Sequence, residues 1–150
     1  MELDDLVTNL EDFLPNINNT IKECLEGIDY IICDLNTQDQ LYNNGVNADN
    51  EVIMDYEPYS EITIKIKQNL GQPTDRVTLK NEGDFYRGFT IEFSDGGFYI
   101  TSLDKKAEQL ALKYSTNLAK DNIFGLTDNS VTKLCWDYLI DLLIIKFKEI

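Results

Sequence analysis

Apolar residues recur at three- and four-residue steps through Leu3, Leu6, Val7, Leu10, Phe13 and Leu14, with Asp4, Asp5, Glu11 and Asp12 between them. That period predicts an amphipathic helix, which Pro15 interrupts. It resumes with Ile17, Ile21, Cys24, Leu25, Ile28, Ile31, Ile32 and Leu35, a second and longer helix running to about Asp39 despite Gly27. From Asn43 to Glu51 the chain is rich in Asn, Gly and Asp with no apolar period, which predicts an exposed loop. Ser60 to Gly71 reads two ways. Ile62, Ile64 and Ile66 alternate as in a strand, whereas Ser60 as an N-cap and Gly71 past the end frame a short helix, the preferred reading. Gln72 to Asp75 is a turn, and Arg76 to Leu79 is a short extended or pre-helical piece. Phe89 to Phe93 and Phe98 to Thr101 are strand-like on either side of Asp95-Gly96-Gly97, which predicts a β-hairpin. Asp104 can cap a helix through Ala107, Leu110, Ala111 and Tyr114, and the pattern loosens from Asn117 to Asn122. Thr127 can cap a last helix from about Asp128 to Glu149, with Leu126 and Val131 at hydrophobic-staple spacing.

These elements predict an α+β fold with N-terminal helices, a small antiparallel β-sheet with a hairpin at about 89–101, and a long C-terminal helix. Residues 1–150 form one domain, divided into a helical region at 1–40 and an α+β body at 41–150. The last helix is apolar nearly all round: Leu134, Cys135, Trp136, Tyr138, Leu139, Ile140, Leu142, Leu143, Ile144, Ile145, Phe147 and Ile150 cannot all face one core. Asp137, Asp141, Lys146 and Lys148 argue against a bilayer span. The helix is therefore either central to the core or shared between its own domain and a second subunit. Trp136, Tyr138, Leu142, Ile145 and Phe147 are candidates for packing between helices or subunits, with ordinary intrachain core as the alternative for each. The hairpin tip Asp95, Gly96 and Gly97 and the loop from Asn43 to Glu51 are candidate contact loops.

Charge sharpens the division. The chain holds 27 acidic and 13 basic residues for a net charge of −14, and within residues 1–60 Lys22 is the single base against 14 acids. Such a surface repels nucleic-acid phosphates, so base-specific DNA or RNA contact is not expected; a solvated helical face that keeps the chain soluble is the preferred reading, with a basic protein partner as the alternative. Histidine is absent, which removes Ser/His and Cys/His pairs and histidine-ligated zinc. Cys24, Cys33 and Cys135 are odd in number and lack C-x-x-C spacing, and they read as small buried side chains. Carboxylate pairs such as Asp4/Asp5, Glu11/Asp12 and Asp137/Asp141 arise by chance at this acid content, and none comes with a Lys or a phosphate-cradling glycine loop. The loop at 43–51 lacks EF-hand spacing, and Gly96-Gly97 lacks nucleotide-loop spacing. Neither an enzyme, nor a cofactor, nor a metal site is expected. The acidic start is unlike a secretory signal, and no uncharged apolar run approaches the ~20 residues of a membrane span. A soluble protein made in a cytoplasm follows as the expectation.

One block is more specific: Tyr59-Ser60-x-x-Thr63-x-x-x-Lys67-x-x-x-Gly71, followed by Leu79-x-x-x-Gly83-x-Phe85. Gly45-x-Asn47-x-Asp49-Asn50 precedes it, and Ile123-Phe124-Gly125-Leu126-Thr127-Asp128 leads into the last helix. In this order the motifs, over about residues 40–150, resemble the tailed-phage virion-morphogenesis or tail-completion family, which also resembles small neck and minor tail proteins. Glu82 stands where that family usually has Thr, Phe85 replaces a common Leu, and Gly88 sits near an expected Ser. The resemblance implies a non-enzymatic virion component at the head-tail junction, present in the host cytoplasm during assembly. It implies a ring of itself, on the order of six or twelve copies, against portal or other neck and tail proteins. The alternative from a different class is an acidic DNA mimic that occupies a basic groove on a host nucleic-acid-binding protein.

Overall fold

A computed structural model describes residues 2–116 and 121–149. It is an α+β fold in which helices surround one antiparallel hairpin. The first helix, α1, spans Leu3–Phe13, and Pro15 does not break the chain's course but tightens Leu14–Asn16 into a 3₁₀ turn. Proline is tolerated in a first helical turn, where its missing N–H would be unpaired anyway. Helix α2, Ile17–Glu26, follows directly.

The expected single helix from Ile17 to about Asp39 is corrected at both ends of its second half. It stops at Gly27, Ile28 departs from helical geometry, and α3 restarts at Asp29–Asp34; Ile28, Ile32 and Leu35 are buried. It then runs on beyond Asp39 as a π-helix over Leu35–Asn44. This wider turn places two buried amides, Asn36 and Gln40, against a distant segment. Asn36 Nδ2 donates to the Ile123 carbonyl (3.1 Å) and its Oδ1 accepts from Gly125 N–H (2.7 Å). Gln40 Nε2 donates to the Gly125 carbonyl (2.8 Å) and its Oε1 accepts from Thr127 N–H (2.9 Å). The two side chains thus hydrogen-bond an irregular strand as a neighbouring backbone would, and a segment inside the fold meets its polar needs without a sheet.

Gly45 ends the π-helix with φ +60°, and a Cβ there would come within 2.8 Å of the Arg76 Cβ, so both the backbone and the space call for glycine. The segment after it is the second correction: Gly45, Val46 and Asn47 are buried, not an exposed loop. Asn47 organises it. Its Oδ1 accepts from the Asp49 and Glu51 N–H groups, and its Nδ2 donates to Glu51 Oε1 and Tyr56 Oη. Val46 and Val52 close the loop as an isolated antiparallel bridge. Asn122, expected in a loosened segment, is buried and donates to Asp49 Oδ2 and Thr116 Oγ1. The rest of that expectation, residues 117–120, lies outside the described residues, as does Ile150.

The remaining elements follow their local signals. A short α4, Ile53–Tyr56, precedes α5, Glu61–Asn69, so the ambiguous stretch is a helix, with Ser60 Oγ accepting from Thr63 N–H and Gly71 at φ +68° past its end. A one-turn α6, Asp84–Arg87, leads into β1, Phe89–Ser94, and β2, Gly97–Ser102. They pair antiparallel from Phe89↔Ser102 to Ser94↔Gly97 around Asp95-Gly96. Helix α7 spans Ala107–Tyr114; its N-cap is Lys106, not the expected Asp104, whose carboxylate accepts from Lys106 N–H and whose backbone carbonyl accepts from Ala107 N–H. Thr127 caps α8, Asp128–Leu134, which passes through a π turn at Cys135–Leu139 into α9, Ile140–Lys148.

Two apolar clusters hold this together. One gathers Leu41, Ile53, Val77, Leu79, Phe85, Tyr86, Ala107, Ala111, Tyr114 and Ile123. The other gathers Cys24, Leu25, Ile28, Ile32, Leu35, Ile100, Leu134 and Leu139. Phe89 and Phe124, rings 5.4 Å apart, pack against both and make them one continuous core. The division at residue 40 does not separate the clusters, because the second is built from the first 35 residues together with β2 and the last helices.

Candidate assembly surfaces

Helix α1 is an arm. None of its residues is buried, and Leu3, Val7, Leu10 and Leu14 are between 39% and 72% exposed. Leu6 and Phe13 face inward, and the Phe13 ring meets Phe147 of α9 edge-on at 5.5 Å. The exposed set recurs at steps of four, three and four, the seam spacing of a helix that packs along another helix. Asp4 and Glu11 border it on the side away from Leu6 and Phe13.

The quoted block from Tyr59 to Phe85 converges on one open groove of about 320 Å³. Tyr59, just before α5, and Thr63, Ile66 and Lys67 on it line one side, and Leu110 and Tyr114 of α7 line the other. The floor is Leu79 to Phe85. Leu79 holds φ at +58°, a left-handed geometry that costs a leucine about 1–2 kcal/mol. Its neighbours enforce it. Thr78 N–H donates to Tyr59 Oη (2.9 Å), Tyr86 Oη donates to the Thr78 carbonyl, and Lys67 Nζ donates to the Lys80 carbonyl (3.0 Å). Lys67 is a buried cation, satisfied further by Gln72 Oε1 at 3.2 Å and lying 4.9 Å from the Tyr59 ring centre. Burial pushes the Tyr86 hydroxyl well above the ordinary tyrosine range, so it keeps its proton and donates a hydrogen bond to the Thr78 carbonyl. The groove is thus a mixed apolar and charged slot whose floor is tied to its sides by these hydrogen bonds. On the same face of α5, Ile62 and Leu70 stand one turn either side of Ile66, and all three are exposed.

The structure divides the residues that the sequence nominates. Trp136 and Ile145 are 68% and 54% exposed and stand free on the last helix, whereas Tyr138 and Leu142 pack against the second cluster and Phe147 against Phe13. The helix is therefore shared between its own core and solvent rather than central to the core; among its described residues only Ser130, Leu134 and Leu139 are buried. Asp95, Gly96 and Gly97 form the exposed hairpin tip. Of the loop nominated as a contact, Gly45 to Asn47 is withdrawn into the fold, while Asp49 to Glu51 stays outside. Pattern reading passed over the α5 stripe, because Ile62, Ile66 and Leu70 lie in the stretch whose period is shared with a strand.

Among the described residues no group of three or more acidic or cysteine side chains is placed to hold a metal ion, and no helix is long and apolar enough to cross a membrane. Burial, reinforced by Asp29 and Asp34, pushes the Cys33 thiol up to about 11, so it is protonated and a poor nucleophile at neutral pH. Burial raises Cys24 in the same direction. No protein-family model, curated protein or solved structure matches the chain.

Proposed function

We propose that the chain is a structural virion protein of a tailed phage, one that builds a ring at the head-tail junction from side-by-side copies of itself. The observation that supports this reading is the arm: a helix with a continuous apolar stripe and no residue buried. A short isolated helix is marginal in water, and its apolar face gains most of its stabilisation from a surface that covers it. Exposed Trp136 and Ile145 on the last helix, together with the α5 stripe, provide further surface of this kind. Contacts between unlike faces of identical chains close into a ring when the rotation between them closes, leaving no face unmatched.

The test pairs native mass spectrometry of the full chain with protein mass spectrometry of purified particles from the phage that encodes it. A closed ring on the order of six or twelve copies is expected, together with the chain among the particle proteins. A chain that stays monomeric at high concentration and is missing from particles overturns the reading. A salt-sensitive complex with a basic host protein, in place of a ring, favours the acidic mimic.

A further inference from the structure

We infer that the groove between α5 and α7 binds a small zwitterionic ligand with an apolar body, of the size and chemistry of a short apolar peptide with both ends free. The groove is complete within one copy, so its ligand does not depend on the ring. Its volume of about 320 Å³ lies at the small end of the range for ligand pockets, roughly 300–1,000 Å³. Leu79 and Phe85 are buried at its floor, so no broad apolar surface is open to a helix or a second chain. What enters must fit between the α5 side, where Ile66 is exposed, and the α7 side, where Leu110 is half-buried. The left-handed Leu79 shapes that floor, and groove residues hold it there: Tyr59 Oη accepts from Thr78 N–H on one side of it, and Lys67 Nζ donates to the Lys80 carbonyl on the other. Strained backbone that its surroundings over-determine concentrates at binding sites.

The charges of the groove sort by depth. Lys67 is 8% exposed and forms no ion pair among the described residues. Its ammonium has three N–H donors, of which Gln72 Oε1 and the Lys80 carbonyl take two. A buried cation gains most from an anion within hydrogen-bond reach, so the third donor suits a carboxylate. The exposed charges have the other balance. Lys80 Nζ is turned to the Tyr42 ring, 5.0 Å from its centre, and Asp84 pairs with Arg87. Glu82 and Asp104 then stand against Lys106 alone. This rim favours a cationic group at the ligand's outer end, and the near-equality of acids and lysines in the whole groove disfavours a ligand with net charge. A carboxylate inside, an ammonium outside and aliphatic side chains between them describe a dipeptide of apolar residues.

Isothermal titration calorimetry of the full chain with L-leucyl-L-leucine, its C-terminal amide and its N-acetyl form tests this. The free dipeptide should bind. The amide lacks the carboxylate and should bind at least about tenfold more weakly, the effect of one hydrogen bond between charged groups. The N-acetyl form lacks the ammonium at an exposed rim and should bind up to about fivefold more weakly. Lys67→Met should erase the difference between the dipeptide and its amide, and Glu82→Gln with Asp104→Asn should erase the difference from the N-acetyl form. Because Lys67 also braces the floor, Ile66→Trp at an exposed position on the groove side leaves that brace intact and should weaken binding of the dipeptide. Circular dichroism with urea titration checks the fold of each variant. No binding of the dipeptide at millimolar concentration overturns the inference. Equal affinity for the dipeptide and its amide, equal affinity for the dipeptide and its N-acetyl form, or an affinity unchanged by Ile66→Trp overturns it as well. Analytical ultracentrifugation of the same chain reads the ring separately: a monomer that binds the dipeptide overturns the ring alone, and a ring that does not bind it overturns the ligand alone.

Discussion

Helix α1 and the run from α2 through the π-helix have the same sequence character, acidic residues alternating with an apolar stripe, and opposite fates. Ile28, Ile32 and Leu35 of the second run are buried, whereas no residue of α1 is. Periodicity specifies which face of a helix seeks cover; it says nothing about whether the chain itself supplies it. The second run finds β2 and the last helices. The first meets α9 through Phe13, and Leu6 beside it is half-buried.

Substitution of one apolar residue from each run breaks this comparison most sharply. Ile32→Ala should cost about 2–5 kcal/mol in urea unfolding, because the side chain is fully buried. Leu10→Ala, measured in dilute solution where the chain is monomeric, should stay within about 0.5 kcal/mol. An equal loss at both positions would make α1 part of the core.

Within the second run the polar side chains divide in the same way, between buried and exposed. Asn36→Ala should cost about 1–3 kcal/mol, since it strands the Ile123 carbonyl and Gly125 N–H inside the fold. Asn19→Ala, whose side chain meets Glu23 at the surface, should be near neutral by the same unfolding assay.

Buried hydroxyls confer a pH dependence on the body that an exposed arm does not share. Burial raises the Tyr86 pKa in the folded chain above its ordinary 10.0, so the folded state holds that proton more tightly than the unfolded state does. The resulting stability is fully present below pH 10 and falls as pH rises above it. Unfolding free energies at pH 8 and above pH 10 should show this loss, with Tyr86→Phe flattening it. At neutral pH the same substitution should cost about 1 kcal/mol for the lost bond to Thr78.

Helix caps and surface pairs come last. Thr127→Ala removes the acceptor for Ser130 N–H and should cost about 1 kcal/mol, read from the urea midpoint. Lys133→Met breaks the exposed 3.1 Å pair with Asp39, and the same measurement should show ~0–1 kcal/mol.

How much was legible follows one physical rule. Ser60, Gly71, Thr127 and the Asp95-Gly96 turn act on backbone within a few residues of themselves, so their effects are present in the local sequence. The π-helix at Leu35–Asn44 was not legible, because its wider turn is held by Asn36 and Gln40 pairing with backbone 85 to 89 positions away. The buried loop was missed for a related reason: Asn and Asp signal exposure by composition, and only Asn47 turning inward to satisfy Asp49, Glu51 and Tyr56 makes burial affordable. For the candidate surfaces, the apolar excess of the last helix was evident, but its division between Leu139 inside and Trp136 outside was not.

The amino-acid order by itself determined the α+β class, the hairpin, the capped helix starts and the acidic character of the first 60 residues, because each depends on neighbours along the chain. Tertiary structure alone decided that the Tyr59–Phe85 motifs line one groove and that the arm's stripe stays in water. Those outcomes depend on which surfaces meet in space, and an apolar face has no directional preference until another surface is brought against it.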